Sequence, residues 1–552
     1  MNLAWIDYTI ILIYFIFVIG IGLFTKKRIK NSNDFLSSGK SIPLWITSLA
    51  FISANLGAQE VMGMAASGAK YGMITAHFYW VGAIPAMVFL GVCMMPFYYQ
   101  SKARSVPEYL KLRFDEKTRA FNAISFAILT VFSSGISLYA LAILLDPLLG
   151  WNFETSVLLS AGVVMVYTFM GGLTSAVYNE VFQFFLIILG IAPISILGVI
   201  KLGGWRNFID QLPPVMTHCW KYLDSSDHNP MGVNSWSLML GLGFVLSFGY
   251  WCTDFLVVQR AMIARNLSSA QKTPLIAAFP KILLPFVVVL PGLIAVALFQ
   301  SGDTFHLPMR SDQQINYDMT LPLLLSHFFP SGLLGLGLTA LIASFMSGMA
   351  GNVTAFNSVW TYDIYQAYFR KSAPDSHYLL VGRASTVLGI ILSIGTAYLT
   401  RTFNNLNDLL QLICGFINAP LFATFFLGMF WKRTTGHGAF SGLLVGTLAA
   451  IGVHGLTLAE GKGAWLVHTP LYEFHSGMGH ALGVAIVAWS TCFITTLLVS
   501  YLTKPKPIHE LKGLVFGTTQ PTDENPEQWY KKPTTLGFVV IVVALIFNYV
   551  WY

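Results

Sequence analysis

Apolar segments of about 20 residues recur along almost the whole chain, and this feature constrains its fold most strongly. Only 10% of the 552 residues are charged, whereas about a quarter are charged in a typical soluble chain. The first segment, 5–24, precedes three basic residues at 26–28 and no small-residue cleavage site, so we expect a retained helix rather than a signal peptide. The sequence therefore predicts an all-α, multi-pass protein of the cell membrane with nearly all its mass in the lipid bilayer.

The basic residues indicate how the segments cross the bilayer. If the N-terminus lies outside, most of the 32 lysine and arginine residues fall in alternate loops on the cytoplasmic side, as the positive-inside rule requires. This alternation favours an even number of spans with both termini outside. We predict about fourteen transmembrane helices, at 5–25, 43–68, 73–98, 119–148, 153–172, 179–201, 235–259, 272–299, 332–364, 378–402, 406–431, 436–457, 479–503 and 535–551.

Two of these spans are interrupted by small and polar residues, at 53–57 and at 247–251. Small residues could simply allow close helix packing, whereas a break would free backbone groups to line a polar cavity. Paired interruptions five spans apart are typical of inverted-repeat transporters with their site between the breaks. We therefore predict a single transporter domain, 1–552. It has an extra first helix at 5–25, repeat one at 43–201, repeat two at 235–431 and extra C-terminal helices at 436–551.

Polar residues inside the spans are the candidate functional residues, because a bilayer makes them costly. They are Asn55, Glu60, Tyr250, Asp254, Lys281, Ser344, Ser347, Asn352 and Gln411. Structural alternatives remain open for three of them. Glu60 could pair with Lys70 nearer the outer surface. Lys281 could extend toward the headgroups, and Asp254 is expected to pair with Arg260 or to cap a helix.

Two of these regions together could bind a cation. Freed carbonyl groups at Ser53 and Leu56 would supply oxygen ligands from one span. The carbonyl of Ser344 and the hydroxyl of Ser347 would supply them from another, and sodium, as a hard cation, prefers such ligands. The spacing in the sequence leaves open whether the two spans touch.

Other classes of protein find less support. The net charge of +7 is spread over short loops, which does not suggest a nucleic-acid partner, and the five cysteines have no metal or redox spacing. An enzyme would need a converging catalytic or metal cluster, and a channel would need a repeated filter or charged rings. We expect a transporter that is not an enzyme and has no obligate protein partner. A membrane-bound sensor or enzyme is the alternative from another class.

Several motifs across most of the chain resemble the sodium/solute symporter family, closest in pattern to its sodium/glucose cotransporter branch. They are ANLG at 54–57, SVPEYLKLRF at 105–114, MGGL at 170–173, GYWCTD at 249–254 with VQR at 258–260, ASFMS at 343–347 continuing through FNSVWTYDIY at 356–365, and FWKR at 430–433 with GAFSG at 438–442. The resemblance implies a LeuT-like five-plus-five inverted-repeat fold with one helix before the repeats and three after them.

The resemblance also implies a sodium site. Its ligands would be the backbone oxygens of Ser53, Leu56 and Ser344 and the hydroxyl of Ser347, while Glu180 matches an acidic residue on the inner ion path. One hydroxyl of the family pattern is replaced by a glycine at position 348, which leaves sodium or proton coupling open. Further hydroxyls are missing at 350 and 351, so a single coupling ion is expected, with no organic cofactor.

For the solute, the resemblance implies contacts with Asn55, Tyr250, Lys281 and Gln411, which match sugar-binding positions. Three other positions of the implied site depart from the family pattern, namely Glu60, Tyr79 and Ser247. The resulting expectation is a symporter that couples inward sodium flow to uptake of a small polar solute, a sugar or polyol. The alternative is sodium- or proton-coupled symport of a carboxylate-bearing solute, such as sialic acid, a monocarboxylate or an amino acid, for which Lys281 would supply the cation.

Overall fold

The computed structural model of the protein describes residues 3–309, 313–400, 406–458, 466–518 and 528–552, and within these ranges the fold is helical without β-strands. In the described ranges, eleven helices are long and apolar enough to cross a membrane. They are Trp5–Lys26, Phe78–Gln100, Glu116–Leu145, Phe153–Lys201, Ser235–Thr253, Leu333–Phe369, Asp375–Thr400, Leu409–Phe430, Gly436–Thr457, Gly477–Leu502 and Pro533–Val550. A twelfth results if Leu267–Leu283 and Pro285–Gln300, bent by 42°, form one span.

The first predicted interruption is present. One helix, Leu44–Ser53, ends at the start of the small-residue stretch, and a second, Ala58–Tyr71, begins just after it. Between them Gly57 takes an extended backbone (φ −79°, ψ −172°), which no helix can continue through. We call these two segments the first broken helix.

The second interruption was predicted at 247–251, and that position is wrong. The chain is helical across Ser235–Thr253, and the break falls at Asp254 (φ −71°, ψ 120°), which caps the next helix, Phe255–Met262. The glycine that suggested a break, Gly249, serves packing instead, because a Cβ there would lie 2.9 Å from the carbonyl oxygen of Asn418. We call Ser235–Thr253 and Phe255–Met262 the second broken helix.

The longest helix, Phe153–Lys201, contains the two predicted spans 153–172 and 179–201. It is kinked at Gly172, where φ is +53° and ψ −142°. A side chain at this position would collide with the backbone and ring of Phe35, so both the conformation and the close approach favour glycine.

The centre of the fold is Leu333–Phe369, which we call the serine helix. In its most apolar window, 89% of the residues are buried against other helices, compared with 17% in the last helix, Pro533–Val550. The serine helix is thus surrounded by protein, whereas the last helix faces mostly outward. The central position of the serine helix places Ser344 and Ser347 against the first break.

Candidate functional site

The first site is a cluster of hydroxyl and carbonyl oxygens where the serine helix crosses the first break. The Ser347 hydroxyl donates to the carbonyl oxygen of Ser53 (3.0 Å), and the Ser344 hydroxyl donates to that of Leu56 (2.7 Å). The hydroxyl oxygens of Ser53 and Ser347 are 3.4 Å apart. All four residues are fully buried. We call them the serine cluster.

The serine cluster has the chemistry of a site for a hard cation. It offers only neutral oxygen ligands, and they come from two separate helices. The four residues predicted from the sequence therefore lie together. One donor was not predicted from the sequence: the side-chain hydroxyl of Ser344 faces the break, whereas the prediction named only its backbone carbonyl.

Gly348 lies beside this cluster, at the position where the family pattern has a hydroxyl. A Cβ on Gly348 would lie 3.1 Å from the Cα of Gly57, closer than most real Cβ contacts. The glycine therefore lets the serine helix approach the break closely. A larger residue at position 348 would need a shift of one of the two segments.

The second site is a cavity of about 90 Å³ between the two broken helices, which we call the central cavity. All seven residues predicted to contact a solute line it: Asn55, Glu60, Tyr79, Ser247, Tyr250, Lys281 and Gln411. The apolar lining of the cavity was not predicted; it includes Met64, Phe78, Ala83, Leu242, Leu246, Trp251, Leu410 and Cys414. These residues have no signal in the sequence that separates them from ordinary core residues.

An ion pair crosses the central cavity. Lys281 Nζ lies 2.6 Å from Glu60 Oε1, and the side chains are 1% and 14% exposed. The same ammonium group is 4.9 Å from the ring centre of Trp251 and 5.1 Å from that of Tyr79, distances at which cation–π attraction operates. Lys281 therefore points into the cavity rather than toward the headgroups, and Glu60 pairs with it rather than with Lys70.

A bend in the backbone helps to place Lys281. The residue lies near the end of Leu267–Leu283, and Pro285 lies four residues after it. A proline cannot donate to the carbonyl four residues earlier and its ring clashes with that group, so the helix bends here. The neighbouring carbonyl of Ile282 accepts a hydrogen bond from the Trp80 indole (3.0 Å).

A hydrogen bond joins the two broken helices at the edge of the central cavity. The Tyr250 hydroxyl donates to Asn55 Oδ1, and Asn55 Nδ2 donates to the carbonyl oxygen of Phe51 (2.7 Å). Asn55 lies between Ala54 and Leu56, so this contact connects the cavity directly to the backbone of the serine cluster. A change at either site can therefore reach the other.

Glu180 lies apart from both sites. Its Oε1 is 2.5 Å from Arg260 Nη2, and both side chains are fully buried. Arg260 also donates to the carbonyl oxygen of Leu256 (3.0 Å). Asp254 makes no ion pair with Arg260 among the described residues. Instead its carboxylate accepts the backbone N–H of Leu256 (2.9 Å), so of its two predicted structural roles the capping role is present.

Known proteins resemble this chain in sequence and in fold. The family described as "Sodium:solute symporter family" has a sequence model that matches residues 35–446. The sodium/glucose cotransporter of Vibrio parahaemolyticus is 30% identical over 471 residues, covering 82% of this chain and 84% of the relative. The sodium/glucose cotransporter 1 of Mus musculus is 27% identical over 529 residues, covering 91% and 79%.

A solved structure of a Na⁺-coupled sialic acid symporter, described as substrate-bound and outward-open, is similar to this fold. The two chains superpose with a TM-score of 0.76 at 21% identity, over 91% of this chain and 98% of that one. At this identity the similarity establishes the fold and leaves the solute open.

Proposed function

Because the chain belongs to the sodium:solute symporter family, we propose that it couples the inward flow of sodium to uptake of a sugar or polyol by alternating access. One observation carries the proposal: the serine cluster and the central cavity meet at residues 53–56, with hydrogen bonds across both. Sodium would bind at Ser53, Leu56, Ser344 and Ser347. The solute would bind between the two broken helices.

The proposed topology has fourteen spans in two inverted repeats of five, with both termini outside. The kinked helix Phe153–Lys201 supports this count, because its 49 residues would extend about 74 Å at 1.5 Å per residue. A bilayer core is only about 30 Å thick. The kink at Gly172 divides the helix into two segments that are each long enough to cross.

The charge of the central cavity favours a neutral solute. Glu60 and Lys281 neutralise each other, so a polyhydroxy solute can accept from the ammonium and donate to the carboxylate without displacing either. Trp251 and Tyr79 add flat apolar faces that suit a sugar ring. A carboxylate-bearing solute would have to separate Lys281 from Glu60. The volume of about 90 Å³ lies below the roughly 300–1,000 Å³ of sites for drug-sized ligands, which favours a solute no larger than a monosaccharide.

Coupling follows from where the sodium ligands come from. The carbonyls of Ser53 and Leu56 belong to the first broken helix, and the hydroxyls of Ser344 and Ser347 belong to the serine helix. A bound cation would hold these two elements together and would therefore favour the conformation in which they touch. Sodium can drive uptake because its affinity differs between the two conformations.

Glu180 is proposed to lie on the inner path of the ion. Arg260 holds its carboxylate in the present conformation, so a departing cation would compete with the guanidinium group for it. This competition would limit how long the ion stays at Glu180.

The test is thermal unfolding of the purified protein against a panel of sugars, polyols, carboxylates and amino acids, with and without sodium. A ligand at one hundred times its dissociation constant stabilises the folded state by about 2.7 kcal/mol. We expect a sugar or polyol to raise the unfolding temperature in sodium and to do so much less in potassium.

Two variants serve as matched controls for this test. Gln411→Ala should lose the response to the solute and keep the response to sodium, since Gln411 lines only the central cavity. Ser347→Ala should lose mainly the sodium response. Equal stabilisation by the solute in sodium and potassium would contradict sodium coupling, and stabilisation by carboxylates alone would contradict the solute class.

A further inference from the structure

A second, smaller cavity lies behind Tyr250. Its volume is about 30 Å³, more than the roughly 10–15 Å³ that one water molecule needs. It shares Asn55 and Tyr250 with the central cavity. On another side it is lined by Ala54 and Gly348, the residues that follow Ser53 and Ser347. Asp254 also lines this cavity, and we call it the Asp254 chamber. The chamber therefore lies between the central cavity and the serine cluster.

Asp254 is a buried carboxylate without a basic partner. It is 4% exposed, and no lysine, arginine or histidine of the described residues forms an ion pair with it. The nearest guanidinium in the sequence, that of Arg260, pairs with Glu180. The N-terminus of Phe255–Met262, which Asp254 caps, contributes about half an elementary charge. Part of the charge of an ionised Asp254 therefore stays uncompensated at a depth where bare charges are costly.

Neutral oxygen and amide groups surround this carboxylate. Asn352 Nδ2 donates to the carbonyl oxygen of Gly348 (2.9 Å) and to Ser133 Oγ (3.3 Å), which leaves its amide oxygen as the remaining polar atom. Asn418, which is 1% exposed, lies within hydrogen-bonding reach of the Asp254 carboxylate. Asp254, Asn352 and Tyr250 therefore give the chamber a polar lining that suits a cation.

The charged and titratable groups near Asp254 come from few elements. Its own broken helix contributes Tyr250 and Arg260, and the helix Leu406–Phe430 contributes Cys414. Glu60 faces Tyr250 from the side of the central cavity. The serine helix and Glu116–Leu149 line the chamber with neutral side chains.

We propose that the Asp254 chamber is a second cation site, where a monovalent cation, Na⁺ or H⁺, binds Asp254 between the solute and the ion of the serine cluster. The ligands would be Asp254, the amide oxygen of Asn352 and the Tyr250 oxygen. The proposal rests on the proposed symport and adds a second coupling ion to it. The resemblance of the sequence implied a single ion because hydroxyls are missing at 350 and 351, but this chamber draws its ligands from other positions.

Tyr250 links this second cation to the solute. It lies one helical turn before Asp254 and donates to Asn55, which lines both cavities. A cation that neutralises Asp254 removes a negative charge next to the Tyr250 oxygen. The sites of the solute and the second cation thus share Tyr250 and Asn55. We therefore expect the binding of each to strengthen the binding of the other.

The test uses the full-length protein in liposomes, with the solute identified by thermal unfolding. The measurements are radioactive sodium and solute uptake, the reversal potential, and the lumenal pH reported by a trapped dye. We expect the wild-type protein to move two positive charges per neutral solute and Asp254→Asn to move one. Asparagine caps helices as well as aspartate does, so this variant keeps the cap on Phe255–Met262.

The arms of the experiment separate the two cations. If the second cation is sodium, the sodium-to-solute ratio falls from two to one in Asp254→Asn. If it is a proton, the ratio is one in both proteins, and solute-driven acidification of the lumen disappears in the variant. Asp303→Asn, which removes an outer-loop carboxylate paired with Lys201, is the matched control and should behave as wild type.

One charge per solute in the wild-type protein, or two in Asp254→Asn, would overturn the second site. Should Asp254→Asn fail to fold, Asn352→Ala replaces it, because it removes a ligand and leaves the carboxylate and its cap in place. Sodium-driven uptake with one charge per solute would refute only the proposal of a second cation site in the Asp254 chamber. Absence of sodium-driven uptake in the wild-type protein would instead refute the proposed function.

Discussion

The ion pair between Glu60 and Lys281 allows a quantitative prediction. Removing one partner of a buried pair typically costs about 3–5 kcal/mol, because the other charge stays buried alone. Lys281→Met leaves Glu60, which is 14% exposed and faces a polar cavity. We therefore expect this variant to lower the free energy of unfolding by about 3 kcal/mol, the lower end of that range. Glu60→Gln leaves Lys281 with its contacts to Trp251 and Tyr79, worth about 1 kcal/mol or more. We therefore expect Glu60→Gln to lower the free energy of unfolding by about 2 kcal/mol.

The double variant Glu60→Gln, Lys281→Met removes both charges and leaves neither uncompensated. We expect it to lose about 2 kcal/mol, far less than the two single losses together, which corresponds to a coupling energy of about 3 kcal/mol. The measurement is the free energy of unfolding in mixed detergent–SDS micelles for the four proteins. Additive losses would refute the reasoning, because they would mean that the two charges do not compensate each other.

An exposed ion pair of similar length is the control. Lys201 Nζ lies 2.8 Å from Asp303 Oδ2, but the side chains are 42% and 17% exposed. The hydrogen bond from Lys201 lowers the pKa of the Asp303 carboxyl. Solvent screens such pairs, so the same double-variant experiment should give a coupling energy below about 1 kcal/mol. A coupling energy equal to that of the buried pair would show that burial does not govern the coupling energy of an ion pair.

Further predictions concern the serine cluster, the close helix packing and the wall between the cavities. Ser347→Ala should raise the sodium concentration for half-maximal uptake about tenfold, equivalent to about 1.4 kcal/mol, while solute affinity at saturating sodium changes less; an unchanged sodium requirement would contradict the assignment. Gly292→Ala should destabilise the protein by about 1–3 kcal/mol because its methyl group would overlap the backbone of Ala65. Gly395→Ala, whose methyl group meets nothing within 4 Å, should be neutral or slightly stabilising, and equal losses would argue against a packing effect. Tyr250→Phe, which loses the hydrogen bond to Asn55, should raise the half-saturation concentration of the solute about tenfold, by about 1.4 kcal/mol, and unchanged uptake kinetics would exclude Tyr250 from the site.

The first break and the serine pair could be predicted because their signals are local. Residues 53–57 are small and polar in an apolar span, and the helix stops at Ser53 and restarts at Ala58. Ser344 and Ser347 are three residues apart, so they share one face of a helix. Both features depend only on neighbours in the chain.

The second break shows the limit of local signals. The small residues at 247–251 suggested an interruption, yet the helix continues through them and stops at Asp254. Gly249 is small because the helix Leu406–Phe430 packs against it at Asn418. A glycine that breaks a helix cannot be distinguished in the sequence from one that allows close packing. The position of the neighbouring helix determines which of the two roles it has.

Three properties could be predicted from the residue order: the chain lies in a membrane, its apolar runs form helices, and the first helix breaks at residues 53–57. These outcomes follow from interactions within one segment and with the surrounding lipid. Helix packing determines that Glu60 pairs with Lys281 and that Arg260 pairs with Glu180. It also leaves Asp254 without a basic partner among the residues that the structure describes. Such pairs join residues far apart in the chain, so they depend on which helix faces touch, and helix packing sets this through the shapes of all the helices at once.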